Sequence, residues 1–454
     1  MSAMDSIRVR AELLPVGIGL WQPVRDERDL VLLKAGSPVT VELKASLLGQ
    51  GIEWVMLHPD DALQVMGVAD EAKSRDTRTS TRTVPRQRSP QRPLPPEDKI
   101  DARIDALART ASHTVDNSGP PLQDSIVSRG TLPYDPEQNQ RLSEQFSTAR
   151  NLLDSLIEEA LAGTARDSQT LDSVAAGYVQ QLSDDTDLVI YSSAELAPSP
   201  KLTERAIRTT ILAMSVAIEL HYDEEHVREV GLCGLVQDWG MFYLSERLQD
   251  FQAPIAEQDR EAFQRYPLYT AELLASIDGI SREVRLAATQ VRENADGSGY
   301  PRGLKNDQIH PYASILCVVD DYLSLSTEMR GRQPYLPYDV IVYMLHQIKT
   351  GRVSEKVMRA LLNVVSLFPI GSHVRLTDGS EAKVIRRNDW HYTAPIVQRV
   401  GADRRIRFDA PETGIINLAK SNFRVMIALP SPDRQELRIG EDLMNEILWN
   451  GGTC

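Results

Sequence analysis

The sequence contains few cysteines, few histidines and no long apolar segment. Its three cysteines, Cys233, Cys317 and Cys454, lie far apart and form no CxxC pair. This spacing argues against a disulfide framework or a cysteine-rich zinc site and favours a reducing compartment. No apolar run reaches the roughly 18 residues of a membrane span, and the N-terminus lacks a signal-peptide-like stretch. We therefore expect a cytoplasmic protein that does not insert into membranes.

An excess of positive charge is also absent. The 454 residues carry 50 Lys and Arg against 64 Asp and Glu, which gives a net charge of −14. Electrostatic binding of nucleic acid is therefore not expected. The chain has no Walker loop, GxGxxG or GxSxG motif, and its eight histidines form no HxxxH or HExxH pair. The common catalytic motifs therefore assign no enzymatic activity to this chain. Its length indicates several domains.

Composition divides the chain into five predicted segments. Residues 1–68 have short apolar runs between turn residues and a helix predicted over Val41–Leu48, which indicates a small α+β domain. Residues 69–141 are predicted to be a flexible basic and Pro-rich linker with at most a transient helix at Asp98–Ala111, because few apolar residues are available to bury. An all-α domain is expected over 142–368, a β-rich, barrel-like domain over 369–430, and a C-terminal helix and tail over 431–454.

The central segment has apolar residues at helical spacing, and the segment after it alternates with a period of two. Ser143 is the expected N-cap of the first long helix. Further helices are predicted over Leu171–Leu182, Thr203–Leu220, Glu224–Val236, Glu257–Ser276, Ser281–Val291, Ile309–Leu325, Tyr338–Lys349 and Ser354–Leu367. Strands are predicted over Val374–Leu376, Ala382–Ile385, Ile396–Val400, Arg405–Phe408 and Val425–Ala428, and a last helix over Pro432–Leu448.

One short segment is more informative than the rest. Glu293–Leu304 reads ENADGSGYPRGL, and its six residues Asp296–Pro301 match the signature loop of HD-GYP cyclic di-GMP phosphodiesterases. Gly234–Met241, Ile315–Asp320 and Gln333–Tyr335 follow the order of other motifs in that family. The resemblance covers about Ser143–Leu367 and implies a helical domain of a bacterial signalling protein. In the family such a domain holds two or three iron or manganese ions and cleaves cyclic di-GMP.

The residues that would bind those metal ions are mostly replaced. Carried over from the resemblance, the positions of the family's histidines are occupied by Arg205, Gln237, Tyr266, Val291 and Arg292. Met241 stands where the family has a phosphate-contacting lysine. Imidazole is a strong ligand for first-row metals, whereas a guanidinium is not a ligand. Only Asp238, Glu293 and Asp320 remain as vestigial catalytic positions, so no metal or other cofactor is expected beyond weak Mg²⁺ or Mn²⁺ at Asp238 and Asp320.

We therefore interpret the central domain as a degenerate, catalytically inactive HD-GYP domain. It is expected to serve as a regulatory, protein-interaction or cyclic-dinucleotide-sensing module, with other signalling proteins, cyclic di-GMP or a second copy as partners. The alternative is an active metal-dependent phosphodiesterase with an atypical site. Seven residues are candidates for ligand binding, although salt bridges and loop packing are the simpler roles for them: Arg205, Arg292, Gly299, Tyr300, Pro301, Arg302 and Lys305.

Overall fold

A computed structural model describes residues 93–439 except 166, 197–201, 251–254, 330–331, 402–403 and 407–413. Within the first 57 residues it describes 7–11, 14, 23–26, 31–34, 39–40, 43–44, 46–47, 52 and 54–57. The chain divides into two compact units, Met1–Arg88 and Ser89–Cys454. Among the residues so described, no helix combines the length and apolar character that crossing a membrane requires.

The first unit contains a four-stranded antiparallel sheet in the order β1-β4-β2-β3. Burial alternates along β4, where Val55 and Leu57 are buried and Trp54 and Met56 are partly exposed, as expected for a sheet with one covered face. Leu43, Lys44, Ser46 and Leu47 are helical, within the helix predicted over Val41–Leu48. The described residues thus confirm the predicted α+β fold class. The strands are β1 Ile7–Arg10, β2 Val24–Arg25, β3 Val31–Leu33 and β4 Trp54–Leu57.

The second unit is dominated by α-helices. Its centre is α4, whose residues Ile207, Ile211 and Ala217 are buried, and which packs against α3, α5, α10 and α12. The described helices are α1 Glu97–Thr110, α2 Pro136–Ala162, α3 Gln169–Ala194, α4 Leu202–Glu219, α5 Glu224–Val236, α6 Glu246–Gln249, α7 Arg260–Gln264, α8 Tyr266–Leu274, α9 Arg282–Gln290, α10 Pro311–Ser326, α11 Pro337–Lys349 and α12 Glu355–Val365.

Three of the predicted helix limits are wrong. Helix α2 starts before Ser143, because Asp135 caps it by accepting a hydrogen bond from the N–H of Glu137 and Pro136 suits its first turn. Helix α3 continues to Ala194 through a kink at Asp185 (φ −159°, ψ 85°). The helix predicted over Glu257–Ser276 is broken at Arg265, where Pro267 in the next turn brings no N–H donor to continue the first helix.

Helix α1 lies in the segment that was expected to be a linker. Its residues Ile100 and Ile104 are buried against Leu268 and Ala271 of α8. The helix is therefore packed rather than transient, because tertiary contact supplies the stability that its sequence lacks alone. Residues 69–92 of the predicted linker lie outside the described residues.

The second unit ends in a five-stranded antiparallel sheet in the order β8-β7-β6-β5-β9. The fourth predicted strand, over Arg405–Phe408, is wrong at Arg405 and Ile406, which are not in a strand, and its other two residues lie outside the described residues. The strand that pairs with β7 is β8. Residues 432–439 are also not helical, because the backbone of Leu437 pairs with Tyr335. The remainder of that predicted helix lies outside the described residues. The strands are β5 His373–Leu376, β6 Glu381–Arg386, β7 Ile396–Arg399, β8 Ile415–Asn417 and β9 Val425–Leu429.

A buried ion pair fixes the sheet against the helices. Arg386 at the end of β6 is 1% exposed and donates to both carboxylate oxygens of Asp185, at 2.7 and 2.8 Å. Its Nε donates to the carbonyl of Leu132 at 2.9 Å. The kink in α3 thus presents the Asp185 carboxylate to the sheet, and the bidentate geometry orients the two elements.

Candidate functional site

Five side chains from different helices meet inside the helical bundle. Arg205 is on α4, and Asp320 is on α10, which packs against it. Asp238 follows the end of α5, Tyr266 begins α8, and Arg292 follows α9. Each of these positions was singled out in the sequence by its place in a family motif, and the fold brings all five together.

Arg292 is the hub of this cluster. Its Nη1 forms an ion pair with Asp320 Oδ2, and its Nη2 lies 3.4 Å from Asp238 Oδ1. Its Nε donates to the hydroxyl of Tyr266 at 2.7 Å, and that hydroxyl donates in turn to Asp238 Oδ1 at 2.9 Å. One guanidinium therefore links both carboxylates, directly and through the phenol.

The second arginine completes the set. Arg205 Nη2 lies 2.5 Å from Asp320 Oδ1 and donates to Ser324 Oγ at 2.7 Å. Both oxygens of Asp320 are thus paired with guanidinium groups, one from each side. Two positive and two negative side chains compensate each other within the cluster, which we call the Arg–Asp cluster (Arg205, Asp238, Tyr266, Arg292 and Asp320).

The cluster is almost closed to solvent. The side chains of Arg205 and Arg292 are 9% and 11% exposed, and those of Asp238 and Asp320 are 4% and 3% exposed. Burial opposes the charge on Arg292, yet its pKa is raised, since Tyr266, Tyr300 and Asp238 favour the charged form. Burial raises the pKa of Tyr266 well above its ordinary value, and Asp238 adds to this. Tyr266 therefore remains a neutral donor.

The side chains present do not fit a metal centre. Three oxygens of the two carboxylates are already paired with guanidinium or phenol groups. Across the part of the chain that the structure describes, no group of three or more His, Cys, Asp or Glu side chains is placed to hold an ion. A cation entering between Asp238 and Asp320 would also meet two buried positive charges. The arrangement accordingly disfavours even the weak Mg²⁺ or Mn²⁺ site considered from the sequence.

Glu293 serves the neighbouring loop instead. The residue is 1% exposed, and its carboxylate accepts hydrogen bonds from the backbone N–H groups of Arg302 at 2.7 Å and Leu304 at 2.9 Å. Burial raises the pKa of Glu293, while these hydrogen bonds act in the opposite direction. The side chain that was expected near the two aspartates therefore anchors the turn after Pro301.

The loop from Asp296 to Pro301 is held by its own backbone and side chains. Asp296 Oδ1 accepts from the N–H and the hydroxyl of Ser298, at 2.9 and 2.6 Å. The N–H of Tyr300 donates to the carbonyl of Arg292 at 3.0 Å. A Cβ on Gly299 would overlap backbone atoms of residues 292–294. Close backbone approach therefore explains this glycine without any ligand.

The other candidate ligand-binding residues lie on the outside of this loop. Arg302 forms ion pairs with Asp105 and Asp101 of α1, and this contact lowers the pKa of Asp105. The ring of Tyr300 lies 6.4 Å from that of Phe263, so it packs the loop, and Lys305 is exposed. Arg302 and Lys305 therefore do not share contacts with Arg205 and Arg292. Among the described residues, these four basic side chains form no common cationic pocket.

Comparisons with known proteins agree with the sequence motifs. Residues 193–353 match the family model described as "HD domain". This segment is an HD domain. It contains all five members of the Arg–Asp cluster and the whole Asp296–Pro301 loop, and it is related at low identity to HD-GYP phosphodiesterases.

Curated relatives of the HD domain are phosphodiesterases of cyclic dinucleotides. The chain is 19% identical to cyclic di-GMP phosphodiesterase PdeB of Borreliella burgdorferi, over 48% of this chain and 57% of that protein. It is 23% identical to cyclic di-GMP phosphodiesterase PA4108 of Pseudomonas aeruginosa, over 59% of this chain and 66% of that protein. The chain thus spans less than two thirds of each.

Two further similarities extend the comparison. The chain is 24% identical to 3'3'-cGAMP-specific phosphodiesterase 3 of Vibrio cholerae, over 38% of this chain and 37% of that protein. A solved structure, "Bd1817, a HDG"Y"P protein from Bdellovibrio bacteriovorus", has 13% identity and a TM-score of 0.41, and the match covers 79% of this chain and 98% of that one.

Sequence reasoning missed two features around the HD domain. Ser324, which binds Arg205, lies one turn after Asp320, so the i,i+4 spacing was available as a signal. The acids of α1 that pair with Arg265 and Arg302 were also overlooked. Glu97, Asp101 and Asp105 recur every four residues, which is the pattern of a helix with one acidic face.

Proposed function

We propose that this chain is a bacterial signalling protein whose HD domain is catalytically inactive and works as a regulatory protein-interaction module. The observation that carries the proposal is the Arg–Asp cluster. In HD-GYP enzymes metal ions activate a water molecule and neutralise the attacked phosphodiester. Here Arg205 and Arg292 supply positive charge at the positions of two metal-binding histidines, and they have no coordination chemistry to offer.

Exchange of the arginines for metal ions would be costly. Separating a buried guanidinium from its carboxylate leaves charges without compensation in a medium of low polarity. The side chains would have to leave a site in which they are about nine-tenths buried. We therefore take the ion pairs as the resting and working state of the domain.

The same pairing bears on cyclic-dinucleotide sensing. Phosphate groups would compete with Asp320 for both guanidinium groups and with Asp105 for Arg302. This competition favours a protein-interaction role over a sensor that binds cyclic di-GMP in the former catalytic pocket.

Hydrolysis is tested by incubating the full chain with cyclic di-GMP, and separately with 3'3'-cGAMP, in Mn²⁺ or Fe²⁺ under anaerobic conditions. P. aeruginosa PA4108 is the positive control, since it is named a cyclic di-GMP phosphodiesterase. We expect no linear dinucleotide or mononucleotide from this chain. Product that disappears in Asp238→Asn and Asp320→Asn would instead establish the alternative, an active phosphodiesterase with an atypical site.

Binding is tested separately by isothermal titration with cyclic di-GMP. We expect no saturable heat, and we expect affinity capture with the full chain to recover other signalling proteins. Saturable binding that is weakened in Arg302→Gln, while Arg359→Gln binds normally, would assign a sensor role in place of the interaction role. Arg359 is a suitable control because its side chain is 75% exposed on α12.

A further inference from the structure

Helix α1 lies in a groove on α8. The floor of this groove is apolar, because Leu268 and Ala271 contact Ile100 and Ile104 of α1. These two isoleucines are the buried residues among the 14 of the helix, and most of the others are exposed. We call this surface the α1 groove, and its members are Arg265, Leu268, Ala271, Glu272 and Arg302.

Basic side chains form one rim of the α1 groove, and acidic side chains of α1 meet them. Arg265 Nε lies 3.2 Å from Glu97 Oε1, and Arg302 Nη1 lies 2.5 Å from Asp105 Oδ1. Asp101 lies between these pairs, at 3.6 Å from Arg265 Nη2 and 3.8 Å from Arg302 Nη2. Three carboxylates at four-residue intervals on α1 therefore face two guanidinium groups.

The opposite rim has the reverse polarity. The side chain of Glu272 is 6% exposed, and its carboxylate lies 2.6 Å from Arg103 Nη1 of α1. At the helical angle of about 100° per residue, Arg103 lies on one side of the isoleucine stripe and the three acids lie on the other. Residues 99–106 read KIDARIDA and contain a basic, an apolar and an acidic position twice. Both surfaces thus carry three stripes, and each stripe of α1 meets its complement in the groove.

The contacts that hold α1 are few. Its acidic side chains are partly or fully exposed, and ion pairs at such positions contribute little. An isolated helix of this length is marginal in water, so α1 depends on docking to remain helical. The chain that follows is exposed at 112–114 and 116–120. Segments with few buried contacts open before the core, and opening here would expose an apolar floor that a competing helix covers again.

We propose that the α1 groove is the docking site for an amphipathic helix of a partner protein, and that α1 occupies it until such a helix competes. The partner helix has Ile or Leu every four residues, acidic side chains towards Arg265 and Arg302, and a basic side chain towards Glu272. A helix bound in the opposite direction would bring like charges together at both rims, so the rims select orientation as well as partner. This inference rests on the proposed interaction role and names its surface.

A fluorescein-labelled peptide of residues 95–111 tests the groove, with binding to the full chain followed by fluorescence anisotropy. In the released chain, the full chain with Ile100→Ser and Ile104→Ser, we expect saturable binding. The wild type should bind about 100-fold more weakly, because its own helix competes at high effective concentration. A peptide with the same two serines is the matched control and should not bind. No saturable binding to the folded released chain, or equal binding to both chains, would overturn the proposal.

Two further measurements sharpen this test. In the released chain, Arg302→Glu should weaken binding about threefold at low salt, and a peptide with Asp105→Arg should restore it. If the released chain fails to fold, hydrogen exchange in the wild type decides the outcome. Saturating isotope-labelled peptide should raise amide exchange in α1 and leave α4 unchanged, and unaltered exchange in α1 would contradict the proposal.

Light scattering separates a partner protein from a second copy of this chain. A monomeric wild type that binds the peptide supports the partner assignment. A wild-type dimer that the peptide dissociates would seat α1 of a second copy in the groove and contradict it. Capture of signalling proteins without peptide binding would contradict this inference alone and leave the proposed function standing.

Discussion

The Arg–Asp cluster and the loop beside it resemble the HD-GYP pattern to different degrees. In the loop, the six residues Asp296–Pro301 resemble the family signature without a change. In the cluster, arginine and tyrosine stand where the proposed alignment with the family puts metal-binding histidines. The two regions are neighbours in the chain and in space. Arg292 lies shortly before the loop, and its backbone carbonyl accepts a hydrogen bond from the N–H of Tyr300.

This comparison distinguishes two kinds of residue. Those of the loop hold the backbone in its conformation, whereas those of the cluster stand at the family's metal-binding positions in the proposed alignment. The loop needs glycine for close approach and acidic side chains for its N–H groups, whether or not a metal ion is near. The two buried carboxylates of the cluster need compensating positive charge, and in our proposal the guanidinium groups of Arg205 and Arg292 supply it in place of metal ions. If the proposed function is correct, the signature loop of this chain reports the fold and not catalysis.

The largest effect is expected from breaking the cluster at its hub. Arg292→Met removes the charge that compensates Asp238 and Asp320 in a buried site. We expect the free energy of unfolding to fall by about 3–5 kcal/mol. Urea unfolding followed by circular dichroism measures this change, with Arg359→Met as the exposed control. A loss no greater than that of the control would mean that the cluster is solvated and that the buried-pair account is wrong.

The next effect tests the loop as a purely steric element. Gly299→Ala places a methyl group against backbone atoms of residues 292–294, which are not free to move aside. We expect a loss of about 3 kcal/mol in the same urea experiment. Gly177→Ala, at an open and exposed position in α3, is the control and should be neutral or slightly stabilising. Equal stability of the two variants would refute the steric explanation for Gly299.

A smaller effect is expected where the loop meets the cluster. Glu293→Gln keeps one acceptor for the N–H groups of Arg302 and Leu304 but turns an amide NH₂ towards the other. We expect a loss of about 2 kcal/mol, from one buried donor without an acceptor. Hydrogen exchange at the two N–H groups should rise while that of α4 stays unchanged. Unaltered exchange at both would show that the carboxylate does not anchor the turn.

The smallest effect is expected at the outer contact of the loop with α1. Asp105→Asn removes an exposed partner of Arg302, and such pairs contribute little and are screened by salt. We expect amide exchange within α1 to rise on the order of twofold at low salt. At high salt the variant and the wild type should coincide. A large, salt-independent increase would mean that this ion pair, rather than Ile100 and Ile104, holds the helix.

The helical domain was predictable because its periodicity is strong. Most helices from Thr203 onward lie within a few residues of their predicted limits, and the composition change near Pro369 marks the sheet correctly. Errors occur where tertiary contact decides. Helix α1 has two buried isoleucines and needs α8 to be stable. Residues 432–439 are not helical, and Leu437 among them pairs with Tyr335.

The site was only partly predictable. The family motifs gave the positions of Arg205, Asp238, Arg292 and Asp320, and their convergence followed from the fold. The pairing did not: salt bridges were the simpler role expected for both arginines, but no motif indicated which acids they would pair with.

The metal content of the purified full chain is the most direct test of the account. The protein would be produced with iron and manganese supplied, purified anaerobically and analysed by inductively coupled plasma mass spectrometry, and Mn²⁺ would then be titrated and followed by electron paramagnetic resonance. We predict well below one ion per chain and an unchanged signal of free Mn²⁺. One or more tightly bound ions per chain, lost in Asp320→Asn, would contradict the claim that arginine side chains have taken the place of the metal centre.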